Sequence, residues 1–198
     1  MKIASMLPAG TRSIIAYHKA RKWLQLLKEI APIVTRVAVI FNPDTVPQAP
    51  LFNRAIEAAA PSIGVAVTYA PVHDDAEIEA AVAAQARAPR GSLICLPDSF
   101  NNTHQDLITA AAIRHSLPLL GTSNFPRAGG LMSYWFDAVD AHAQAASYID
   151  RILKGATPAD LPVQRPVKYS LVINLKTAKA LGLTIPPLIL AGADEIIE

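Results

Sequence analysis

The sequence predicts an α/β domain in which an open parallel sheet carries helices on both of its faces. Three observations support this fold class. Short runs of β-branched and apolar residues recur along the chain, and helical segments of about 10–15 residues separate them. Proline, glycine and asparagine fall at the junctions between the two kinds of segment. This alternation is typical of right-handed βαβ units, whose crossover helices cover the sheet.

The first half of the chain has the clearest pattern. Apolar residues at helical spacing predict a helix over 19–30, which Pro32 ends, whereas residues 1–18 have no clear period and are left unassigned. Four apolar runs predict buried strands over 36–41, 65–72, 92–96 and 117–121. The segments between these strands predict helices over 49–60, 74–86 and 103–115. Asp74 and Asp75 lie where the second of these helices is capped.

The second half continues the sheet and then changes character. Residues 130–134 predict a further strand, and a long helix is predicted over 138–153, with Lys154 and Gly155 ending it. An extended stretch with evenly spaced prolines follows. The sequence of the tail after it predicts a strand over 168–174, a short helix over 175–181 and a last helical turn or two after Pro187. We therefore divide the chain into an unassigned segment (1–18), an α/β lobe (19–135) and a C-terminal helix, crossover and strap (136–198).

Composition excludes several classes of protein. Hydrophobic residues make up 52% of the chain and charged residues 17%, which indicates an ordered domain with a sizeable core. The net charge is +2 without a run of basic residues, so no nucleic-acid partner is expected. No apolar run approaches the roughly 20 residues of a membrane helix, and the N-terminus does not predict a signal peptide. The single cysteine, Cys95, lies in an apolar run and is interpreted as a core residue.

Motifs for cofactor and metal chemistry are missing. The turn after residue 41 contains no glycine, so it lacks the GxGxxG turn of a dinucleotide site, and no lysine–serine or lysine–threonine pair closes a P-loop. None of the five histidines pairs with another at i, i+4, which argues against a metal site. Ser99 and Ser133 lack the flanks of a nucleophile elbow. No cofactor is expected, and an enzyme with Asp98 as its base is the least favoured function.

Polar and aromatic side chains follow the predicted strands. Because ligands of open α/β sheets bind beyond the carboxyl ends of the strands, we first consider the residues at those ends, which are Asn42, Asp98, Ser123 and Tyr134. A carboxylate attracts an ammonium group, amides and hydroxyls bond a carboxylate, and aromatic rings form apolar walls. On this chemistry the predicted ligand-binding residues are Asn42, Asp98, Ser99, Phe100, Ser133 and Tyr134.

Asp98 also has a purely structural interpretation. A carboxylate directly after a strand can cap the helix that follows, and Asp44 allows the same interpretation after the first strand. One side chain can serve both purposes, so the sequence leaves the two roles open.

Several segments of the second half resemble one family. They are residues 128–134 (AGGLMSY), 146–155 (ASYIDRILKG), 156–164 (ATPADLPVQ), 171–178 (LVINLKTA) and 181–186 (LGLTIP), and residues 23–32 (WLQLLKEIAP) match the entry to that family's second lobe. Together they resemble the ABC transporter substrate-binding family related to tryptophan and tyrosine receptors, and the resemblance covers nearly all of residues 20–198.

The resemblance implies a type I periplasmic binding protein, in which two α/β lobes clamp a small solute and deliver it to ABC permease subunits. It places the lobe-two contacts in the loops after Phe41 and Leu96 and near Tyr134. A typical member begins with a signal peptide and a complete first lobe, and we expect this chain to lack both. We therefore expect a truncated form that binds ligand weakly, self-associates through the exposed lobe interface, and is cytoplasmic rather than periplasmic if Met1 is its true start.

An alternative function from another class is a cytoplasmic sensory or regulatory module that has kept the binding-protein fold without a role in transport. An adjacent permease gene and ATPase gene would favour the transport role over this alternative.

Overall fold

The computed structural model describes residues 9–122, 124–162 and 168–198, with the backbone alone for residues 9–18 and 138. The helices are α1 (Ala9–Ile30), α2 (Ala49–Ile63), α3 (Asp75–Ala86), α4 (Ser99–Thr103), α5 (Gln105–Arg114), α6 (Ala138–Leu153), α7 (Leu175–Ala180) and α8 (Pro187–Ala191). The strands are β1 (Arg36–Phe41), β2 (Ala66–Pro71), β3 (Gly91–Cys95), β4 (Leu119–Gly121), β5 (Met132–Phe136), β6 (Tyr169–Asn174) and β7 (Glu195–Ile197).

The strands form one seven-stranded sheet in the order β2-β1-β3-β4-β5-β6-β7. Strands β1 to β5 are all parallel, so the prediction of one parallel sheet across this part of the chain is confirmed. The strand order reverses between β1 and β3, because the chain moves to one side for β2 and then returns to the other side of β1. This reversal is the topological switch point of the sheet.

The C-terminal strap extends this sheet. Strand β6 pairs antiparallel with β5, from Met132 opposite Ile173 to Phe136 opposite Tyr169, and β7 pairs parallel with β6. The sheet is therefore mixed. The predicted strand over 168–174 is confirmed, whereas β7 was not predicted, because its three residues at the chain terminus are too few to show a period.

Helices cover both faces of the sheet, as predicted. On one face α1 and α2 pack against the strands, and the buried side chains of α1 include those that the helical spacing identified, namely Trp23, Leu26, Leu27 and Ile30. On the other face the core is formed by α3, α5 and the alternate residues of the strands. Cys95 belongs to this second core, where burial raises the pKa of its thiol. The prediction that Cys95 is a core residue is confirmed.

Helix α6 differs from the other long helices because none of its described side chains is buried. Its apolar residues lie in solvent: Val139 is 80% exposed and Leu153 is 81% exposed, and Ile149 and Ile152 are exposed as well. The helix is nevertheless well formed, with Asp137 accepting hydrogen bonds from the backbone N–H groups of Val139 and Asp140 and Lys154 at its C-cap. Within the part of the chain that the structure describes, α6 is thus an amphipathic helix with an uncovered apolar face.

None of the helices in the described part of the chain combines the length and the apolar character that crossing a membrane requires.

Candidate functional site

Asp98 joins the carboxyl ends of the two strands at the switch point. Its Oδ1 accepts hydrogen bonds from the backbone N–H of Asn101 at 2.7 Å and from Thr45 Oγ1 at 3.4 Å. Its Oδ2 accepts a hydrogen bond from the backbone N–H of Asn42 at 3.3 Å. The first of these contacts caps α4, so the structural interpretation of Asp98 is confirmed. The others hold the loop after β1 against the loop after β3.

The environment of Asp98 shifts its proton affinity. Only 6% of the residue is exposed, and burial raises the pKa of its carboxyl, although hydrogen bonds from Asn101, Asn42 and Thr45 offset part of the rise. The oxygens of the carboxylate thus face donors of the chain itself. A solute ammonium group would meet a carboxylate whose oxygens already accept hydrogen bonds from the chain.

Two asparagines organise the backbone around Asp98. The side-chain oxygen of Asn42 accepts a hydrogen bond from the Asp44 N–H at 2.8 Å, which tightens the turn after β1. The side-chain amide of Asn101 donates to the carbonyls of Ile40 and Leu96, each at 3.0 Å, and so links the ends of β1 and β3. Sequence reasoning missed Asn101. Asn101 could have been noticed because it lies three residues after Asp98, at the position whose backbone N–H a helix-capping aspartate binds.

Ser99 and Phe100 follow Asp98 at the start of α4. Ser99 is exposed, so its hydroxyl is available to a solute. Phe100 is half-buried, and its ring stacks on that of His104 with 4.0 Å between centroids. Nδ1 of His104 lies 2.8 Å from the Phe100 carbonyl, and its Nε2 lies 3.4 Å from an oxygen of Asp75. Asn42, Asp98, Ser99 and Phe100 therefore lie together around the carboxyl ends of β1 and β3.

Ser133 and Tyr134 lie on β5, which is separated from β3 by β4. Ser133 is 1% exposed, and within the described residues its hydroxyl has no hydrogen-bond partner. Tyr134 is half-buried and stacks on Tyr169 with 5.5 Å between ring centroids. Ser123 lies outside the described residues. That all the predicted residues line one concavity remains a prediction.

Asp44 does not cap a helix, so the interpretation of this residue as the cap of the helix after β1 was wrong. Helix α2 begins after Gln48, whose side chain makes no capping hydrogen bond, and a proline occupies the first turn instead. Asp44 is exposed in the turn after β1, and an oxygen of its carboxylate lies 4.0 Å from Nε2 of His73.

Two small cavities lie at the opposite edge of the sheet. One, of about 230 Å³, is lined by residues that include Ile113, Leu119 and Lys176. The other, of about 190 Å³, lies beside the start of β1 and β3 and includes Arg90 and Leu117 in its lining. Among the residues that the structure describes, no group of three or more His, Cys, Asp or Glu side chains is placed to hold a metal ion.

Solved structures share this fold. An ABC domain from Streptococcus pneumonia in complex with L-Trp matches with a TM-score of 0.80 and 24% identity. A conserved domain protein from Vibrio cholerae o1 biovar eltor matches with a TM-score of 0.79 and 28% identity. The ligand-free, open structure of a substrate-binding protein with adhesive properties from Clostridium difficile matches with a TM-score of 0.68 and 19% identity.

The matches cover 90%, 89% and 88% of this chain and 60%, 60% and 58% of the three solved chains, so this chain spans about 60% of their length. No curated protein matches the chain.

The family whose model matches the chain is described as ABC transporter substrate binding protein, and the match runs over residues 14–197. The family is a class of solute-binding proteins rather than of enzymes, and its members normally act outside the cytoplasm. The match takes in every described strand. With the switch-point sheet and the shared fold, it shows that this chain belongs to the ABC transporter substrate-binding protein family.

Proposed function

We propose that this chain is the solute-binding component of an ABC importer and that it holds a small solute over the carboxyl ends of β1 and β3. The observation that carries this proposal is the contact between Asn42 and Asp98 at the switch point, where open α/β sheets bind their ligands. The family supports the role in solute binding. The complete receptor would act in the periplasm and dock on ABC permease subunits.

The chemistry at this edge fits an amino acid or a similar zwitterion. The exposed hydroxyl of Ser99 can donate to a solute carboxylate, and the ring of Phe100 offers an apolar wall. Asp98 supplies negative potential for an ammonium group, although its own hydrogen bonds keep it in place. The solved structure that holds L-Trp shares the fold and supports an amino-acid ligand for this chain as a proposal.

A receptor of this family gains affinity by closing two lobes around its solute, and this chain spans about 60% of the length of the solved structures. Micromolar binding corresponds to a free energy of about −8.2 kcal/mol. If the two lobes contribute equally, one lobe supplies half of this free energy, which corresponds to roughly millimolar binding. We therefore expect this chain by itself to bind weakly, because a solute on one lobe stays partly hydrated and each polar contact is weaker.

Titration calorimetry of the 198-residue chain against a panel of amino acids and small organic solutes tests this expectation. A solute that binds should do so with a dissociation constant near millimolar. Ser99→Arg should abolish the binding, whereas Ser62→Arg, at an exposed position at the end of α2, should leave it unchanged. A dissociation constant at or below about 10 μM would contradict the proposed division of contacts between two lobes.

The uncovered face of α6 gives a second expected result. We propose that this face is covered in the complete receptor, so the chain by itself should self-associate through it. In sedimentation velocity, Leu153→Ser should shift the chain toward monomer without lowering its stability, since Leu153 is 81% exposed. The matched control is Leu188→Ser on α8, which is 84% exposed but lies outside this face. Equal effects of the two variants, or a monomeric wild type, would contradict this role of α6.

A further inference from the structure

Three aromatic rings surround the ammonium group of Lys19. Its Nζ lies 4.3 Å from the ring centroid of Trp135, 5.5 Å from that of Tyr169 and 5.8 Å from that of Phe136. Trp135 and Phe136 end β5, and Tyr169 begins β6 directly opposite Phe136. We define this aromatic cage as Trp135, Phe136 and Tyr169, which two strands provide, and Lys19 enters it from α1.

Aromatic rings face the ammonium group of Lys19, but the described residues provide no counter-ion for it. Within the described part of the chain, no carboxylate lies within ion-pair distance of Nζ. The carboxylate beside the cage, that of Asp137, is engaged by Lys168 at 2.8 Å and by the first turn of α6. Burial lowers the pKa of Lys19 to about 8. The negative faces of the aromatic rings are therefore the main attraction that the buried ammonium meets.

The cage is also open. All three of its rings are only half-buried, so a molecule from solvent can reach them. A primary ammonium is strongly hydrated, and removing it from water is costly. A methylated ammonium group is less strongly hydrated and presents apolar methyl groups to the rings, which is the chemistry that aromatic cages select. Lys19 is thus a weaker occupant than a quaternary ammonium compound.

We propose that Trp135, Phe136 and Tyr169 form a binding site for a quaternary ammonium compound and that Lys19 occupies this site when no such ligand is present. The site stands at the carboxyl end of β5, where Trp135 and Phe136 end the strand, and its rings make no use of Asn42 or Asp98. It therefore holds or fails independently of the proposed solute site at the switch point.

The test compares choline with 3,3-dimethylbutan-1-ol, a neutral molecule of the same shape, on the wild-type chain and on Lys19→Met. Methionine keeps the length of the side chain but removes its charge. Binding is followed by calorimetry and by the upfield shift that aromatic rings impose on the methyl protons of choline. We expect Lys19→Met to bind choline roughly tenfold more tightly than the wild type, because no internal cation competes for the rings, and to prefer choline over the alcohol.

Two further variants in the Lys19→Met background locate the binding. Trp135→Leu removes the ring that approaches Lys19 most closely, and Tyr169→Leu removes a half-buried ring at the start of β6. Each should abolish or strongly weaken choline binding, and circular dichroism shows whether each is folded. Absence of choline binding by folded Lys19→Met, or equal affinity for the neutral alcohol, would overturn the proposal. The comparison of choline with the neutral alcohol on Lys19→Met tests the proposed site even if both ring variants fail to fold.

Discussion

Trp23→Ala should lower the free energy of unfolding by about 3–5 kcal/mol, the cost of removing a large buried aromatic side chain. Trp23 is 2% exposed at the centre of the core between α1 and the sheet. Its ring stacks on those of Phe52 and Trp135 at centroid distances of 5.6 and 6.0 Å. Its indole N–H donates to the Tyr134 carbonyl at 2.9 Å. The substitution thus removes contacts with α2 and β5 at once, and urea denaturation measures the loss.

Trp23→Phe is the matched control for this prediction. It keeps an aromatic ring beside Phe52 but removes the donor, which leaves the Tyr134 carbonyl without this partner. We expect a smaller loss of about 1–2 kcal/mol. The chain has two tryptophans, so Trp135 alone reports fluorescence in both variants. A loss below about 1 kcal/mol for Trp23→Ala would mean that α1 is not docked on the sheet in this way.

Asp98→Ala should lower the free energy of unfolding by about 2–3 kcal/mol, because it removes a helix cap and leaves two further donors without their acceptor. The cap contact is to the N–H of Asn101, and the two further donors are the N–H of Asn42 and the hydroxyl of Thr45. Asp98→Ser is the control that separates these contributions: serine retains the cap of α4 but is too short for the contacts across to β1. We expect it to lose about 1 kcal/mol less than alanine. Equal losses would mean that the cap of α4 contributes nothing, and an Asp98→Ser variant as stable as the wild type would mean that Asp98 is a helix cap only.

The pH dependence of stability gives Asp98 an independent signature. Burial raises the pKa of its carboxyl above the ordinary value of 3.8, so the folded state binds this proton more tightly than the unfolded state. The stabilisation is complete below pH 3.8 and is lost as the pH rises through the raised pKa. We expect the difference in unfolding free energy between the wild type and Asp98→Ala to shrink as the pH rises through this window.

Most of the parallel sheet could be predicted from the sequence, because buried parallel strands are continuous apolar runs and the breaks between them contain proline or glycine. The run over 36–41 coincides with β1, and the run over 92–96 overlaps β3. The antiparallel direction of β6 could not be predicted in the same way, because an apolar run does not show which strand it pairs with or in which direction. Helix α1 also begins ten residues earlier than the predicted Lys19, at Ala9.

The candidate site was predictable in part. Parallel strands bring their carboxyl ends to one edge, so the meeting of Asn42 with Asp98 follows from the two strand assignments. The burial of Ser133 did not follow, because it depends on which face of β5 the residue occupies and on its neighbour Gly121 across the ladder. The contacts of Lys19 with the rings were missed as well, since α1 and β5 are distant in sequence.

The most direct test of the central claim, that the carboxyl edge at the switch point binds the solute, is chemical-shift mapping of the isotope-labelled chain by NMR. Amino acids would be added up to about 20 mM, well above a roughly millimolar dissociation constant. We predict that saturable changes concentrate on the backbone amides of Asn42, Ser99 and Phe100. Changes centred on the opposite edge, around Ile113 and Lys176, would contradict the claim, and so would the absence of a response to every amino acid tested.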